Sequence, residues 1–274
     1  MQPLQLMMIV NDPGTANYVV ENGVNRIFID LEKLGKFERQ GHRDTWLSRH
    51  TVDDIVRVRE AIGTRSLLVR LNPWNPCSQS EVDAAIVAGA DFLMLPMFKT
   101  AREVEDFCRA VDGRIPVIPL AETKEAMEIL PQVARLSGVS EIYIGLNDLH
   151  LSLGMRFMFE PLANGMLDRA AAQLREIDIP FGFGGLARVG EGQLPAEMVI
   201  AEHVRLGSSR AILSRTFHRQ ALSLETLIAE MDFPKEVALL RKAYADAISA
   251  DVDTLESNRR NVQQIVLGIT GGLS

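Results

Sequence analysis

Two carboxylates stand in matching places along this chain. Glu122 follows the apolar run Pro116-Val-Ile-Pro-Leu120, and Asp148 follows Ile142-Tyr-Ile144 and Gly145. Both runs have the length of a buried strand, and both acids fall just past its carboxyl end. Neighbouring strands lie about 4.8 Å apart, so acids at two such ends can share one hard cation. Magnesium suits that donor set, because it takes one or two carboxylates and completes its shell with water and substrate oxygens. Zinc is disfavoured, since no histidine or cysteine cluster accompanies the acids. The competing role for both acids is a solvated loop residue or a helix cap. Arg70 and Asn72 end the run Ser66-Leu-Leu-Val-Arg-Leu-Asn72, two residues apart and so expected on one face. Arg70 either grips a carboxylate with two parallel hydrogen bonds or forms an ion pair in the wall with Glu32 or another acid. A cation beside an arginine fits a 2-oxo acid, which chelates through its carboxylate and keto oxygens. The enolate formed as the adjacent C–C bond breaks is then stabilised without a Schiff-base lysine. Lys99 reads as a solvated residue leading a helix.

The elements that must position these groups alternate regularly. Apolar runs at Leu4–Val10, Arg26–Ile29, Ser66–Asn72, Asp91–Met97, Pro116–Leu120, Ile142–Ile144, Pro180–Gly185 and Arg210–Ser214 read as eight strands, with helix patterns between them. Asp12 with Pro13 and Thr51 with Asp54 mark helix starts. Helices are predicted up to Leu136 after Glu122, over Leu162–Ile177, and over Pro195–Leu206 with Gly207 as its stop. This alternation predicts a (β/α)8 TIM barrel over residues 1–232, with active groups at the carboxyl ends of the strands. That rule collects Asp30, Glu32, Arg70, Asn72, Glu122 and Asp148 on one rim. Gly35 to His50 is a long polar connection carrying His42, and such a loop is uncommon unless functional. Beyond Pro234, Val237, Leu240, Tyr244 and Ile248 recur at helix spacing. Residues 233–274 therefore form extra C-terminal helices, whose apolar stripe must cover the barrel's outside or pack on a neighbouring subunit.

Composition narrows the function. The 274 residues are 47% hydrophobic with a net charge of −7, which argues against nucleic acid or an anionic membrane as partner. No run approaches the ~18 apolar residues of a membrane span. Met1 to Val10 lacks a basic start and reads as a first strand, not a signal peptide. Cys77 and Cys108 form no metal motif or disulfide framework, so a reducing cytoplasm fits best.

These residues resemble the HpcH/HpaI aldolase and citrate lyase beta-subunit family of pyruvate/phosphoenolpyruvate-type barrels. Leu68-Val-Arg-Leu-Asn72 is similar to its substrate-arginine strand, and Gly89-Ala-Asp-Phe-Leu-Met-Leu-Pro-Met97 to its fourth-strand signature. Leu120-Ala-Glu-Thr123 resembles its metal-glutamate motif, and Ile144-Gly-Leu-Asn-Asp-Leu-His-Leu-Ser-Leu-Gly154 its metal-aspartate motif. The resemblance implies that Glu122 and Asp148 bind Mg2+, or Mn2+ or Co2+ in its place. It implies that Arg70 holds the substrate's carboxylate or enolate, with Asn72, Gly145, Leu146 and Asn147 around the substrate. It also implies a homo-trimer or hexamer with exchanged C-terminal helices. The aldolase branch carries Asp-Gly-Glu-His after strand two, where this chain has Asp30-Leu-Glu32-Lys33, closer to the citrate lyase branch. Glu32, or His42 in the long loop, is then expected in the acid–base role. Three functions follow as expectations: a metal-dependent aldolase acting on a 2-oxo acid through a pyruvate enolate, a citrate lyase beta- or malyl-CoA lyase-like enzyme, and a barrel that binds a small acid without turnover.

Overall fold

The computed structural model describes residues 3–35, 50–218 and 223–271. Within them, β1 (Gln5–Ile9), β2 (Arg26–Asp30), β3 (Ser66–Arg70), β4 (Phe92–Leu95), β5 (Val117–Ala121), β6 (Ile142–Ile144), β7 (Phe181–Leu186) and β8 (Arg210–Leu213) pair in sequence order. All pairs are parallel and β8 returns to β1, closing the expected (β/α)8 barrel. Helix starts follow local chemistry. Asp12 accepts the Thr15 N–H at 2.7 Å ahead of Pro13–Glu21. Thr51 and Thr100 close capping boxes with Asp54 and Glu103 ahead of Val52–Ile62 and Ala101–Val111.

Two predicted helices are divided. The segment after Glu122 forms Lys124–Glu128 and Leu130–Ala134, because Pro131 has no N–H to continue the ladder. Leu162–Ile177 becomes Glu160–Ala163 and Met166–Glu176, separated at Gly165, whose φ of 80° favours glycine.

Strand side chains alternate between the barrel interior and the helix layer, so the same apolar runs fill both. Met7, Phe28, Leu68, Met94, Ile118, Leu120 and Tyr143 pack inside the barrel. Its amino-terminal end is closed by charge. Arg26 heads β2, Arg210 heads β8 and Glu141 precedes β6. Arg26 donates to both Glu141 oxygens at 3.0 and 2.9 Å, and Arg210 Nε donates to Oε2 at 3.1 Å. The Arg26 guanidinium also lies 4.0 Å above the Phe92 ring.

The tail forms helices Phe233–Ser249 and Val252–Thr270. Pro234 sits in the first turn of the former, where a missing N–H is tolerated. Phe233 is buried edge-on to Phe217, with ring centroids 5.7 Å apart. Val237, Leu240 and Tyr244 are buried within the same chain, so this stripe covers the barrel's outside. Leu239, Ile248, Val252, Leu267 and Ile269 stay between 36% and 81% exposed. Among the described residues, no helix is long and apolar enough to cross a membrane.

Candidate active site

The β5–β6 register sets Glu122 beside Gly145. Leu120 pairs with Tyr143 and Ala121 with Ile144, and the Gly145 N–H continues the ladder to the Ala121 carbonyl at 3.0 Å. Glu122 is only 2% exposed. A Cβ on Gly145 would stand 2.8 Å from Glu122 Oε2, so glycine leaves the carboxylate its room. The other oxygen accepts the Met97 N–H at 3.1 Å. Met97 has a φ of 55°, an uncommon conformation for a residue with a side chain. The turn after β4 thus aims a backbone donor at the carboxylate. Thr123, not Glu122, caps the next helix, accepting the Ala126 N–H at 3.0 Å. Glu122 is therefore neither solvated nor a cap. Gly145 leads into the helix Leu146–Ser152, and half-buried Asp148 falls in its first turn.

On the opposite side, β2–β3 register pairs Asp30 with Arg70. Arg70 Nε and Nη2 donate to the two Asp30 oxygens at 2.8 Å each, and Glu32 Oε2 lies 3.4 Å from Nε. Burial disfavours the guanidinium charge, but Asp30, then Glu32 and Glu122, outweigh it and hold the Arg70 pKa above its ordinary value. The wall ion pair is present, yet it occupies one edge of the fork. Nη1 makes no hydrogen bond among the described residues, and Arg70 lines the cavity at the barrel mouth. Asp30 is itself anchored, its N–H donating to His50 Nδ1 at 3.0 Å.

That cavity measures about 330 Å3. It brings Arg70, Glu122, Gly145, Leu146, Asn147 and Asp148 together over an apolar floor that includes Phe28, Met94 and Leu120. Asn72 does not join them. β3 ends at Arg70, so alternation no longer applies two residues on. Asn72 Oδ1 instead accepts the N–H groups of Lys33 and Leu34 at 2.8 and 3.0 Å, and its amide donates to Glu81 at 2.9 Å. Its place is that of an anchor for the chain leaving β2. Glu32 is buried beside Arg70, and His42 lies outside the described residues.

Four contributors were not anticipated. Met97 is one, and nothing in its residue type signals its backbone conformation. Ser214 and Arg215 line the cavity from the end of β8, where the strand-end rule would have found them. Tyr143 braces this side. Its hydroxyl donates to the Gly184 carbonyl at 2.6 Å and accepts the Ile212 N–H at 2.9 Å. Burial raises its pKa, so the hydroxyl keeps its proton. A larger groove of about 620 Å3 runs between Gly154–Asn164 and the last helix. Glu160 is the carboxylate on its wall, and its Oε1 already accepts the N–H groups of Arg156 and Phe157 at 2.6 and 2.7 Å. The smaller cavity, lined by two carboxylates and a guanidinium, is the candidate site.

The donor set at the barrel mouth is hard: two carboxylates, one of them immobilised by a backbone N–H on one oxygen and by the Gly145 notch at the other. Among the described residues no cluster of three or more His, Cys, Asp or Glu side chains suited to a metal occurs. Such a pair fits a hard divalent cation that takes its remaining ligands from water and substrate.

The model of the HpcH/HpaI aldolase/citrate lyase family matches residues 10–160, more than half of the chain. The chain belongs to the HpcH/HpaI aldolase/citrate lyase family. The matched stretch contains Asp30, Arg70, Glu122 and Asp148, and ends before β7. A 4-hydroxy-2-oxo-heptane-1,7-dioate aldolase of Shigella boydii is 23% identical over 172 residues, which cover 57% of this chain and 60% of that protein. The chain thus spans under two thirds of this curated relative. Among solved structures, the HpcH/HpaI aldolase from Desulfitobacterium hafniense is similar with a TM-score of 0.61 at 16% identity, over 77% of this chain and 86% of that one. The citrate lyase beta subunit of M. tuberculosis, complexed with oxaloacetate and magnesium, is similar with a TM-score of 0.57 at 14% identity, over 88% and 96%. At these identities the likeness is one of fold.

Proposed function

We propose that this member of the HpcH/HpaI family is a divalent-metal-dependent C–C lyase. It cleaves a 4-hydroxy-2-oxo acid into pyruvate and an aldehyde, and catalyses the reverse addition. The observation that carries this reading is that Glu122, Asp148 and Arg70, whose Nη1 makes no hydrogen bond among the described residues, line one small cavity. Glu122 and Asp148 would hold the cation, with magnesium the first candidate and manganese or cobalt as substitutes. When bound, such an ion supplies Lewis-acid stabilisation of negative charge on the 2-oxo acid.

The chain's own residues do the rest. Arg70 Nη1 donates to a carboxylate or enolate oxygen, and Asp30 and Glu32 keep that edge aimed. As the C3–C4 bond breaks, the 4-hydroxyl loses its proton and its oxygen closes to the aldehyde carbonyl. The bond's electron pair passes into the pyruvate enolate, which is then protonated at C3. Gly145, Leu146 and Asn147 shape the wall at the reacting carbons. The apolar floor keeps water from the enolate. His42 and Glu32 are the proposed proton carriers.

The test is direct. Pyruvate is incubated with a panel of aldehydes, with and without magnesium, and adducts are identified by mass. Adduct formation abolished by Glu122→Ala or Asp148→Ala supports the lyase. Tight oxalate binding with no turnover would replace it with a binding function. Asp30-Leu-Glu32 favours one alternative, an acyl-CoA C–C lyase, and turnover confined to thioesters would establish that instead. The exposed apolar residues of the C-terminal helices support self-association into a trimer or hexamer, which sedimentation measures.

A further inference from the structure

Tyr143 stands on β6 with its ring inside the barrel and its hydroxyl on the next two strands. The β6–β7 register pairs it with Gly182. An added Cβ there would stand 2.6 Å from Tyr143 Cε2, so glycine makes the notch in which the ring lies. Beyond Gly182 the β7–β8 ladder slips. From the pairing of Gly182 with Arg210 to that of Gly185 with Ile212, β7 advances three residues while β8 advances two, which is a bulge. Gly184 lies in it, with a φ of 59° that favours glycine. Past the bulge the ladder resumes, and the Ser214 N–H donates to the Leu186 carbonyl at 2.9 Å. Two residues back on each strand, the corresponding rung consists of the Ile212 N–H and the Gly184 carbonyl. The Tyr143 hydroxyl bonds to both, accepting from the first at 2.9 Å and donating to the second at 2.6 Å. A side chain of a third strand thus enters the rung beside the bulge.

We propose that the Tyr143 hydroxyl is a positioning group that holds the β7 bulge off β8 and so sets how large an aldehyde the enzyme accepts. This deepens the lyase reading and rests on it. In that reading Arg70, Glu122 and Asp148 take the 2-oxo acid half, from β3 and the ends of β5 and β6. The lining left for the aldehyde half includes Gly184, Gly185, Ile212 and Ser214, on the two strands that the hydroxyl bridges. A Cβ on Gly185 would stand 3.4 Å from the Ser214 Cβ, so a single methyl group spans the gap between them. Behind the wall there is no slack, since a Cβ on Gly184 would stand 3.2 Å from Leu146 Cδ1. Without the hydroxyl, the Gly184 carbonyl and the Ile212 N–H are left to satisfy each other. The bulge then relaxes toward β8, and the gap narrows.

The test compares acetaldehyde with isobutyraldehyde as acceptors for pyruvate, with magnesium present. Tyr143→Phe keeps the ring in its notch and removes the hydroxyl alone. The expected result is that the preference for acetaldehyde, as a ratio of kcat/KM values, rises about 10-fold over wild type, the scale of crowding by one methyl-sized group. The KM for pyruvate and the magnesium affinity stay within about threefold. Gly185→Ala narrows the same gap with the hydroxyl in place and shifts the preference in the same direction; should Tyr143→Phe fail to fold, its ratio decides. An unchanged preference, a shift toward isobutyraldehyde, or an equal loss with both aldehydes overturns the assignment and leaves the lyase reading standing. If wild-type protein forms an adduct with neither aldehyde, the lyase reading fails and takes the assignment with it.

Discussion

Alanine at position 145 separates the carboxylate site from the fold. The Gly145 backbone, with φ −86° and ψ 90°, is one that alanine adopts readily. The perturbation is therefore steric. The added methyl would stand 2.8 Å from Glu122 Oε2, 3.1 Å from Glu122 Cβ and 3.1 Å from Leu120 Cδ1. Ordinary contact begins near 3.4 Å, so the carboxylate must retreat by roughly 0.6 Å. Overpacking costs about 1–3 kcal/mol in general. The nearest atom here is the end of a rotatable side chain, which places the cost near about 1 kcal/mol, a fall in Tm of about 2–4 °C. The effect on the site is larger. Displacing an oriented ligand by a fraction of an ångström lowers cation affinity by about 10- to 100-fold, and turnover falls with it. Titration of magnesium or manganese by calorimetry, beside a thermal melt, measures both. Cation affinity within about twofold of wild type would refute the reasoning. So would an affinity loss accompanied by collapse of the melt, since the damage would then be general.

Arg70→Lys is expected to lower kcat/KM by about 100-fold, because one ammonium cannot span both Asp30 oxygens and still reach a substrate. Urea denaturation should show a smaller loss of about 1–2 kcal/mol, since Asp30 and Glu32 keep a cation beside them; equal losses by both measures would contradict the substrate role. Glu141→Gln leaves Arg26 and Arg210 buried without their counter-charge, and should cost about 3–5 kcal/mol at pH 7. Burial opposes ionisation of Glu141, but the Arg26 hydrogen bonds and the Arg26 and Arg210 charges prevail, and its pKa is lowered. Its contribution is complete above the ordinary glutamate range near 4.3 and is lost as pH falls through the folded value. The variant and wild type should therefore converge in acid. His203 stacks on Phe183 at 3.9 Å and shares a 2.8 Å hydrogen bond with Ser208, while its Nε2 has no partner among the described residues. Burial pushes its pKa down to about 3. The unfolded chain takes up that proton near pH 6.5, so stability should decline as pH falls from about 6.5 toward 3. Denaturation midpoints across that window should flatten in His203→Gln; an unchanged slope would exclude His203 as its source.

The barrel was legible because its physics is repetitive. Most of the apolar runs end at a glycine or polar residue, and caps such as Asp12, Thr51 and Thr100 sit one residue ahead of helices. Glu122 and Asp148 were legible for a related reason, since strand ends of a closed parallel barrel all point to one mouth. What escaped depends on the exact end of an element or on its backbone angles. Asn72 was expected to face with Arg70, but alternation stops where pairing stops. Pro131 and Gly165 divided two helices that apolar periodicity alone had joined. Arg215 looked like any polar residue after a strand, although the strand-end rule applied to β8 carries it to the same mouth. Met97 holds Glu122 through a main-chain amide, which no side-chain pattern reports.

The Arg26–Glu141–Arg210 plate has a bearing on traffic. With its lower end sealed by interlocked ions and its middle filled by Met7, Phe28 and Leu68, the barrel is a cup and not a tunnel. Whatever is seated beside Arg70 must leave by the door through which its partner came. For two fragments joined or parted in such a vessel, the outer one departs first, and the inner one waits its turn.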